Sequence, residues 1–313
     1  MPRIRVATFN CENLFARYKF RSNVDPDKAI KEGWETDKRK FHKFSGKYRK
    51  LTASVIKETK ADVIALQEVE NMAVLKKFRA KYLQGRKKYP HLLLIDGNDP
   101  RRIDVAVLSK YPLENIETHI NEFYNGKPVF SRDCLECDVV VSKTEKVRLY
   151  VNHFKSMMDP KSRCKGRSTT RARRKSQADN VKKIISRSNV KGDFIILGDF
   201  NDYLKNDSQG KSAISSLVNW NKVENVAKRL PPDERWTHYW KGSSSCGISE
   251  KYTQLDYILI SQSLVKKNKK ALPKIIRNGI TTKAKKYLGK RFPEVNRNVK
   301  ASDHAPMVIE LNL

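Results

Sequence analysis

Six apolar runs in this chain end or begin on a polar residue drawn from one narrow set. Ile4–Phe9 stops at Asn10, Val63–Gln67 at Glu68, and Val147–Val151 at Asn152 and His153, while FIILGDFND carries Phe194–Leu197 through Gly198 to Asp199 and Asn201. Two later runs hold the polar group at their amino end: Asp256 opens DYILI, and Asp303 and His304 precede PMVIEL. An unbroken Phe-Ile-Ile-Leu run reads as a strand covered on both faces, which puts Asp199 and Asn201 at its carboxyl edge. In a mixed sheet, strands running up deliver carboxyl ends to one edge and antiparallel neighbours deliver amino ends to it. The pattern therefore predicts that all six polar groups converge.

Between these runs the period changes. Tyr48, Leu51, Val55 and Ile56 recur at helical spacing and predict a helix leading into the strand that ends at Glu68. Ala172, Ala178, Val181, Ile184 and Ile185 predict a second helix over about 170–186, with Arg171, Arg173, Arg174 and Lys175 at its start. Cations there oppose the helix dipole, so another role, such as phosphate neutralisation, is expected of them. Ile103, Val105 and Val107 alternate with Asp104, Ala106 and Leu108, which lets Asp104 reach a histidine on a neighbouring strand and serve as the orienting partner of His153. Arg17–Lys50 is mixed in charge and too polar for a core element; a surface insertion is expected. One faint internal echo is present: ATFN and GDFN each end a strand in Phe-Asn.

Composition narrows the class. A chain of 313 residues, 39% hydrophobic with 12 Phe, 12 Tyr and 4 Trp, can bury a substantial core, and the absence of a Pro- or Gly/Ser-rich linker predicts one domain over 1–313. No window offers a membrane span and MPRIRVATFN lacks a secretory apolar core, so a soluble cytoplasmic protein, most simply a monomer, is expected. Cys11, Cys134, Cys137, Cys164 and Cys246 form no paired C-x-x-C sets, which argues against zinc and for five reduced thiols.

The net charge is +31. Lys155–Lys191 holds 13 basic and 2 acidic residues, and Gln262–Lys300 holds 13 and 1. Basic insertions are accordingly placed near 17–50, 155–177 and 262–300. A lone basic run is usually a solvated face. Two such runs next to candidate catalytic motifs suggest a polyanionic partner instead.

Taken singly, a strand-end Asp is most often a turn former and a lone His a satisfied core residue. Six strand ends of the same chemistry are a different matter, because together they supply what phosphodiester hydrolysis needs: an activated water, neutralisation of the phosphoryl oxygens and a stabilised leaving oxygen. Glu68 suits Mg²⁺ or Mn²⁺, with Asn10 and Asp303 completing the shell. Asp199 can polarise water while the Asn201 amide donates to a phosphate oxygen. Asp256 can accept from the ring of His304 and raise its pKa, and His153 is expected to act as a second cationic imidazole.

The motifs TFNCEN, LQEVEN, NHFKS, GDFND, QLDYIL and SDHAPM, in order from Thr8 to Met307, resemble the series of the endonuclease/exonuclease/phosphatase superfamily, the deoxyribonuclease I-like group. The resemblance implies a four-layer α/β sandwich, two packed mixed β-sheets flanked by helices, with a site at one edge. It implies metal binding at Asn10, Glu68 and Asp303, and phosphate or acid/base roles at His153, Asp199, Asn201 and His304, with Asp256 supporting His304. Arg132 in FSRDCLECDV and Tyr124 in EFYNGKPVF resemble phosphate-contacting positions more loosely, and Arg171 and Arg174 are further substrate-binding candidates. The His in NHFKS is closer to deoxyribonuclease I-like members than to apurinic-site nucleases.

The fold hosts several chemistries. Charge favours a Mg²⁺- or Mn²⁺-dependent nuclease, most simply an endonuclease, acting on DNA with RNA kept open and with little sequence specificity. The alternative is a phosphatase or phosphodiesterase acting on small or lipid-borne phosphate esters. Trp236, His238, Tyr239 and Trp240 form an aromatic cluster equally suited to stacking on bases and to core packing.

Overall fold

The computed structural model of the chain describes residues 2–15, 18–20, 41–43, 46–101, 103–162, 164–188 and 192–313. Much of the predicted insertion at 17–50 lies outside the described residues; within it, Tyr18–Phe20 pairs antiparallel with Phe41–Lys43.

The first sheet is built from β1 (Arg3–Leu14), β2 (Val63–Val69), β3 (His91–Leu94) and β4 (Asp104–Ser109), with α1 (Gly46–Thr59) and α2 (Met72–Tyr82) between them. The second contains β5 (Leu113–Glu117), β6 (Cys134–Val140), β7 (Lys146–His153), β8 (Phe194–Asp199), β9 (Val223–Asn225) and β10 (Asp256–Ser261), with α3 (Arg171–Arg187) after β7 and α4 (Gln262–Lys267) after β10. The chain then returns to the first sheet as β11 (Lys274–Ile275) and β12 (Met307–Asn312). The strand orders are β11-β12-β1-β2-β4-β3 and β9-β10-β8-β7-β6-β5.

Each sheet is mixed around a single parallel pair. In the first, β1 is parallel to β2 and antiparallel to β12; in the second, β8 is parallel to β7 and antiparallel to β10. The ATFN and GDFN strands thus occupy equivalent central positions, each beside one neighbour that ends, and one that begins, at the polar edge. The faint sequence echo reflects this repeated arrangement.

Alternation decides the layers. Ile4, Val6, Val63, Ala65, Val105 and Val107 of the first sheet share one buried cluster with Leu135, Leu149, Val151, Ile195, Leu197 and Ile258 of the second, so the two sheets pack face to face. The opposite faces are covered by helices. Leu51, Val55 and Ile56 of α1 and Leu75 and Phe78 of α2 pack on Ala7, Phe9, Ile64 and Leu66. Ala178, Val181, Ile184 and Ile185 of α3 pack on Tyr150, Phe194 and Ile196. This is the expected four-layer sandwich.

One glycine and one cysteine pair refine the picture. Gly198 has φ of 137°, and a Cβ there would fall 1.9 Å from the Asn152 carbonyl oxygen, so only glycine lets β7 and β8 close against each other just below Asp199. Cys164 and Cys246 form a disulfide across 82 residues, which corrects the expectation of five free thiols. The other three are buried and reduced. Sequence spacing could not pair Cys164 with Cys246, because tertiary folding alone brings their loops together.

Candidate active site

The inner-face parity that buries Val6, Val151, Leu197 and Ile258 continues to Asn10, His153, Asp199 and Asp256. At this end of the sandwich the apolar core gives way to polar groups on the same faces. Register fixes a row across the second sheet: His153 pairs with Asp199, and Asp199 with Asp256. From the opposite sheet the Asn10 amide Nδ2 donates to Asp199 Oδ2 at 2.9 Å. The backbone N–H and the side-chain amide of Asn201 also donate to Asp199, at 2.8 and 2.9 Å.

Left-handed backbone shapes the rim. Glu12, Glu68 and Asn201 have φ of 48°, 64° and 51°. Asn tolerates this region; for glutamate it is uncommon and costs energy, a pattern concentrated at functional sites. A bulge between Asn10 and Leu14 breaks the pairing of β1 with β2 at the same level. Glu68 then accepts from the Asn13 N–H at 3.0 Å, and Glu12 from the Asp303 N–H at 2.9 Å. Lys300 bridges Glu12 at 2.7 Å and Asp303 at 3.8 Å.

Electrostatics divides the groups. Burial pushes Asp199 up to about 7; His304 opposes and Asp256 adds to the rise. Burial also disfavours charge on His304, but Asp256 and Asp199 outweigh it and hold the imidazole well above its usual range. His304 Nδ1 lies 2.8 Å from Asp256 Oδ2, and its Nε2 lies 3.9 Å from Asp199. The expected Asp256–His304 pair is present.

His153 behaves differently from expectation. Its Nε2 lies 3.6 Å from Asp199 and 4.0 Å from Glu68. Burial, then Arg132, His304 and Arg101, hold its pKa well below the ordinary value, so it is a neutral imidazole rather than a second cation. Asp104 does not orient it: Asp104 accepts from the Gly97 N–H at 2.9 Å, and His153 Nδ1 has no hydrogen-bond partner among the described residues.

Glu68, Glu12 and Asp303 form a carboxylate group beside this row. Burial, then Asp303, raises Glu68; burial, Asp303 and Glu68 raise Glu12 to about 7, against Lys300. Burial opposes charge on Asp303 itself, but Lys300, His304 and His238 outweigh it and hold it below the carboxylate range, and its carboxylate lies with His238 and His304 in a donor set close enough to share one ion. Glu12 was not singled out in the sequence, although it sits two residues past Asn10 in TFNCEN. His238 was assigned only to an aromatic cluster. Its ring packs 4.7 Å from that of His304, and burial followed by His304 lowers it to about 3, so it is uncharged.

The basic candidates separate sharply. Arg132 is buried at the rim, 2.9 Å from Asp99, and donates to the Phe154 carbonyl, which also accepts from Asn201. Arg174 is fully buried. Its guanidinium lies 3.5 Å from Asp202 and donates to the Arg167 carbonyl at 2.6 Å, so it anchors structure and has no face for substrate. Arg171 donates to the Lys211 carbonyl at 2.8 Å, and Arg173 to that of Pro128 at 3.4 Å. The crowded start of α3 thus holds loops in place. Tyr124 is exposed on a separate ribbon, Phe123–Tyr124 paired with Lys127–Pro128.

The second basic segment also divides. Lys266, Lys267, Lys269 and Lys270 line a cavity of about 560 Å³ with Arg3 and Asn312, at the edge where β1 starts and β12 ends, opposite Asp199. Lys300 alone reaches the carboxylates directly. Trp236 and Tyr239 are buried with Ile280 and Ala305, so core packing claims them.

A buried His153–Asp199–Asp256 row, with His304 against it and carboxylates beside it, thus lies at the open end of a two-sheet α/β sandwich. The chain belongs to the Endonuclease/Exonuclease/phosphatase family, whose profile matches residues 5–312. None of the curated protein sequences matches it. Solved structures share its fold at low identity. The truncated TDP2 of Caenorhabditis elegans has a TM-score of 0.57 at 15% identity, covering 99% of this chain and 98% of that one. D. rerio TDP2 complexed with single strand DNA product has a TM-score of 0.58 at 13% identity, covering 99% of each. Beta toxin 275-280 from Staphylococcus aureus has a TM-score of 0.59 at 15% identity, covering 98% and 99%. Among the described residues no helix is long and apolar enough to cross a membrane.

Proposed function

We propose that this protein is a divalent-metal-dependent nuclease that hydrolyses phosphodiester bonds of DNA, with RNA as a second substrate to be tested. The observation that carries the chemistry is the convergence on Asp199 of Asn10, Asn201, His153 and His304. Asp199, raised to about 7, takes the proton of the attacking water at neutral pH. The imidazolium of His304, held charged by Asp256, stabilises the phosphoryl oxygens as negative charge grows there. Neutral His153 and the Asn201 amide orient the phosphate by hydrogen bonds. Glu68, Asp303 and Asn10, with Glu12 beside them, would hold Mg²⁺ or Mn²⁺, which supplies charge neutralisation at a phosphate oxygen.

Nucleic acid is favoured by the potential on the His153 side. Lys155 is lowered to about 8 by burial and then by Arg132, Arg101, Arg174 and Arg173, so the field on this side of the site is positive. A polyphosphate backbone complements such a field. The test is incubation with supercoiled plasmid and Mg²⁺, with and without chelator, alongside release of phosphate from small and lipid-borne monoesters. Nicking that chelator abolishes is expected; phosphate release without nicking would establish the phosphatase alternative instead. The Cys164–Cys246 disulfide favours an oxidising compartment over the cytoplasmic setting expected from the sequence.

A further inference from the structure

We infer that Phe123 and Tyr124 form a stacking platform for unpaired bases, so that the substrate is a nucleic-acid strand with single-stranded character beside the scissile phosphate. This rests on the nuclease reading above and narrows it to a substrate class.

The ribbon is a tight hairpin. Its two-residue turn, Asn125-Gly126, has φ of 51° and 70°, the left-handed pair that Asn-Gly adopts in tight hairpins. Val129 N–H donates to the Glu122 carbonyl at 2.8 Å at its root, where Glu122 also pairs with Arg187. Asn98 holds the carbonyls of Ile120 and Phe130 at 2.8 and 3.3 Å.

Successive residues of a strand face opposite sides. Phe123 is nevertheless 60% exposed and Tyr124 56%, so the ribbon stands clear of the body with an aromatic ring on each face. Among the described residues neither ring belongs to a buried cluster or an aromatic pair.

The ribbon flanks the edge that carries the site. Gln177 donates to the Val129 carbonyl at 3.1 Å and accepts from the Lys155 N–H at 2.8 Å, two residues past His153. Four residues beyond Pro128, Arg132 reaches the Phe154 carbonyl that also holds Asn201. Lys127, paired with Tyr124 across the ribbon, and Arg173, which donates to the Pro128 carbonyl, are exposed, and the one acid of the ribbon root, Glu122, is already paired. Exposed rings flanked by cations suit a strand whose backbone is anionic and whose base faces are apolar. In a duplex those faces are stacked on one another and closed to the platform.

The experiment replaces both rings, Phe123→Ala with Tyr124→Ala, in an Asp199→Asn background that blocks turnover. Fluorescence anisotropy then measures binding of a labelled single-stranded oligonucleotide and of an abasic strand of equal length, and a thermal melt verifies folding. Loss of one stacked base corresponds to roughly 5–150-fold in Kd. That loss is expected for the base-bearing strand only, with Tyr124→Phe retaining affinity. Equal effects on both strands, or none on either, would overturn the platform. If the active protein hydrolyses neither plasmid nor bis(p-nitrophenyl) phosphate while the base-dependent loss persists, the enzymatic reading fails and the platform stands.

Discussion

His304 Nδ1 lies 2.8 Å from one carboxylate oxygen of Asp256, whose other oxygen, Oδ1, has no hydrogen-bond partner among the described residues. Asp256 therefore commits its charge to one imidazole, and it does so where β10 begins and the loop before β12 delivers His304. The pair spans the two sheets and ties the row containing Asp199 to the carboxylates beside Asp303.

Replacing Asp256 with Asn removes the charge that raises His304. Turnover is expected to fall by roughly 10²–10⁴-fold, the range of a single acid–base contribution. The alkaline limb of the kcat profile should also move to lower pH. An unchanged limb would show that His304 does not titrate in the reaction.

The acidic limb belongs to Asp199. Its carboxyl is raised to about 7 by burial, so the ionised base is gained as pH rises through that value, and activity should climb over the same interval. Asp199→Asn should abolish it. The stability linkage of His304 has the opposite sense: its raised value contributes stability that is complete below about pH 6.5 and is lost as pH rises through the folded pKa. Thermal melts of the metal-free protein should therefore decline on the alkaline side, and less so for Asp256→Asn.

Metal linkage can be read without activity. Glu68 is raised by burial and by Asp303, so Glu68→Gln relieves repulsion in the chelated protein while removing a donor. Mg²⁺ should raise the melting temperature of the wild type in proportion to saturation and leave that of Glu68→Gln nearly unchanged. Equal Mg²⁺ shifts would place the ion elsewhere.

Arg174 tests anchoring against binding. Arg174→Met strands Asp202 partly unpaired in a buried setting, and a loss of about 3–5 kcal/mol in denaturant unfolding is expected. The slope of nucleic-acid affinity against salt should stay at its wild-type value. A flattened slope with intact stability would return Arg174 to the substrate.

The disulfide closes a long loop. Cys164→Ala with Cys246→Ala is expected to cost about 2–4 kcal/mol under oxidising conditions and nothing under full reduction. Equal stability in both conditions would mean that the two thiols do not pair in solution.

Much of the site was legible before folding because strand periodicity is local. An uninterrupted apolar run that stops at a polar residue already states which side of a strand end is buried, and alternation carried Asn10, His153, Asp199 and Asp256 to one inner face. The family motifs added the order of the layers. Charge state was not legible in the same way. His153 and His304 look alike in sequence, yet one is neutral beside Arg132 and the other charged beside Asp256, a difference set by neighbours on other strands.

The basic residues mark the same boundary. Sequence counts gave +31 and two dense segments, and that electrostatic sum is independent of fold. Which cations face substrate depends on where each chain segment lies: Arg174 turns inward to Asp202, Lys266–Lys270 fall at the far edge, and Lys300 meets Glu12. Likewise Cys164 and Cys246 pair only because two distant loops meet. Sequence by itself determined the strand ends, their chemistry and the total charge, since these follow from local pattern and composition. Tertiary structure decided partners, protonation and exposure, because those depend on through-space contacts between residues as far apart in the chain as Glu12 and Lys300.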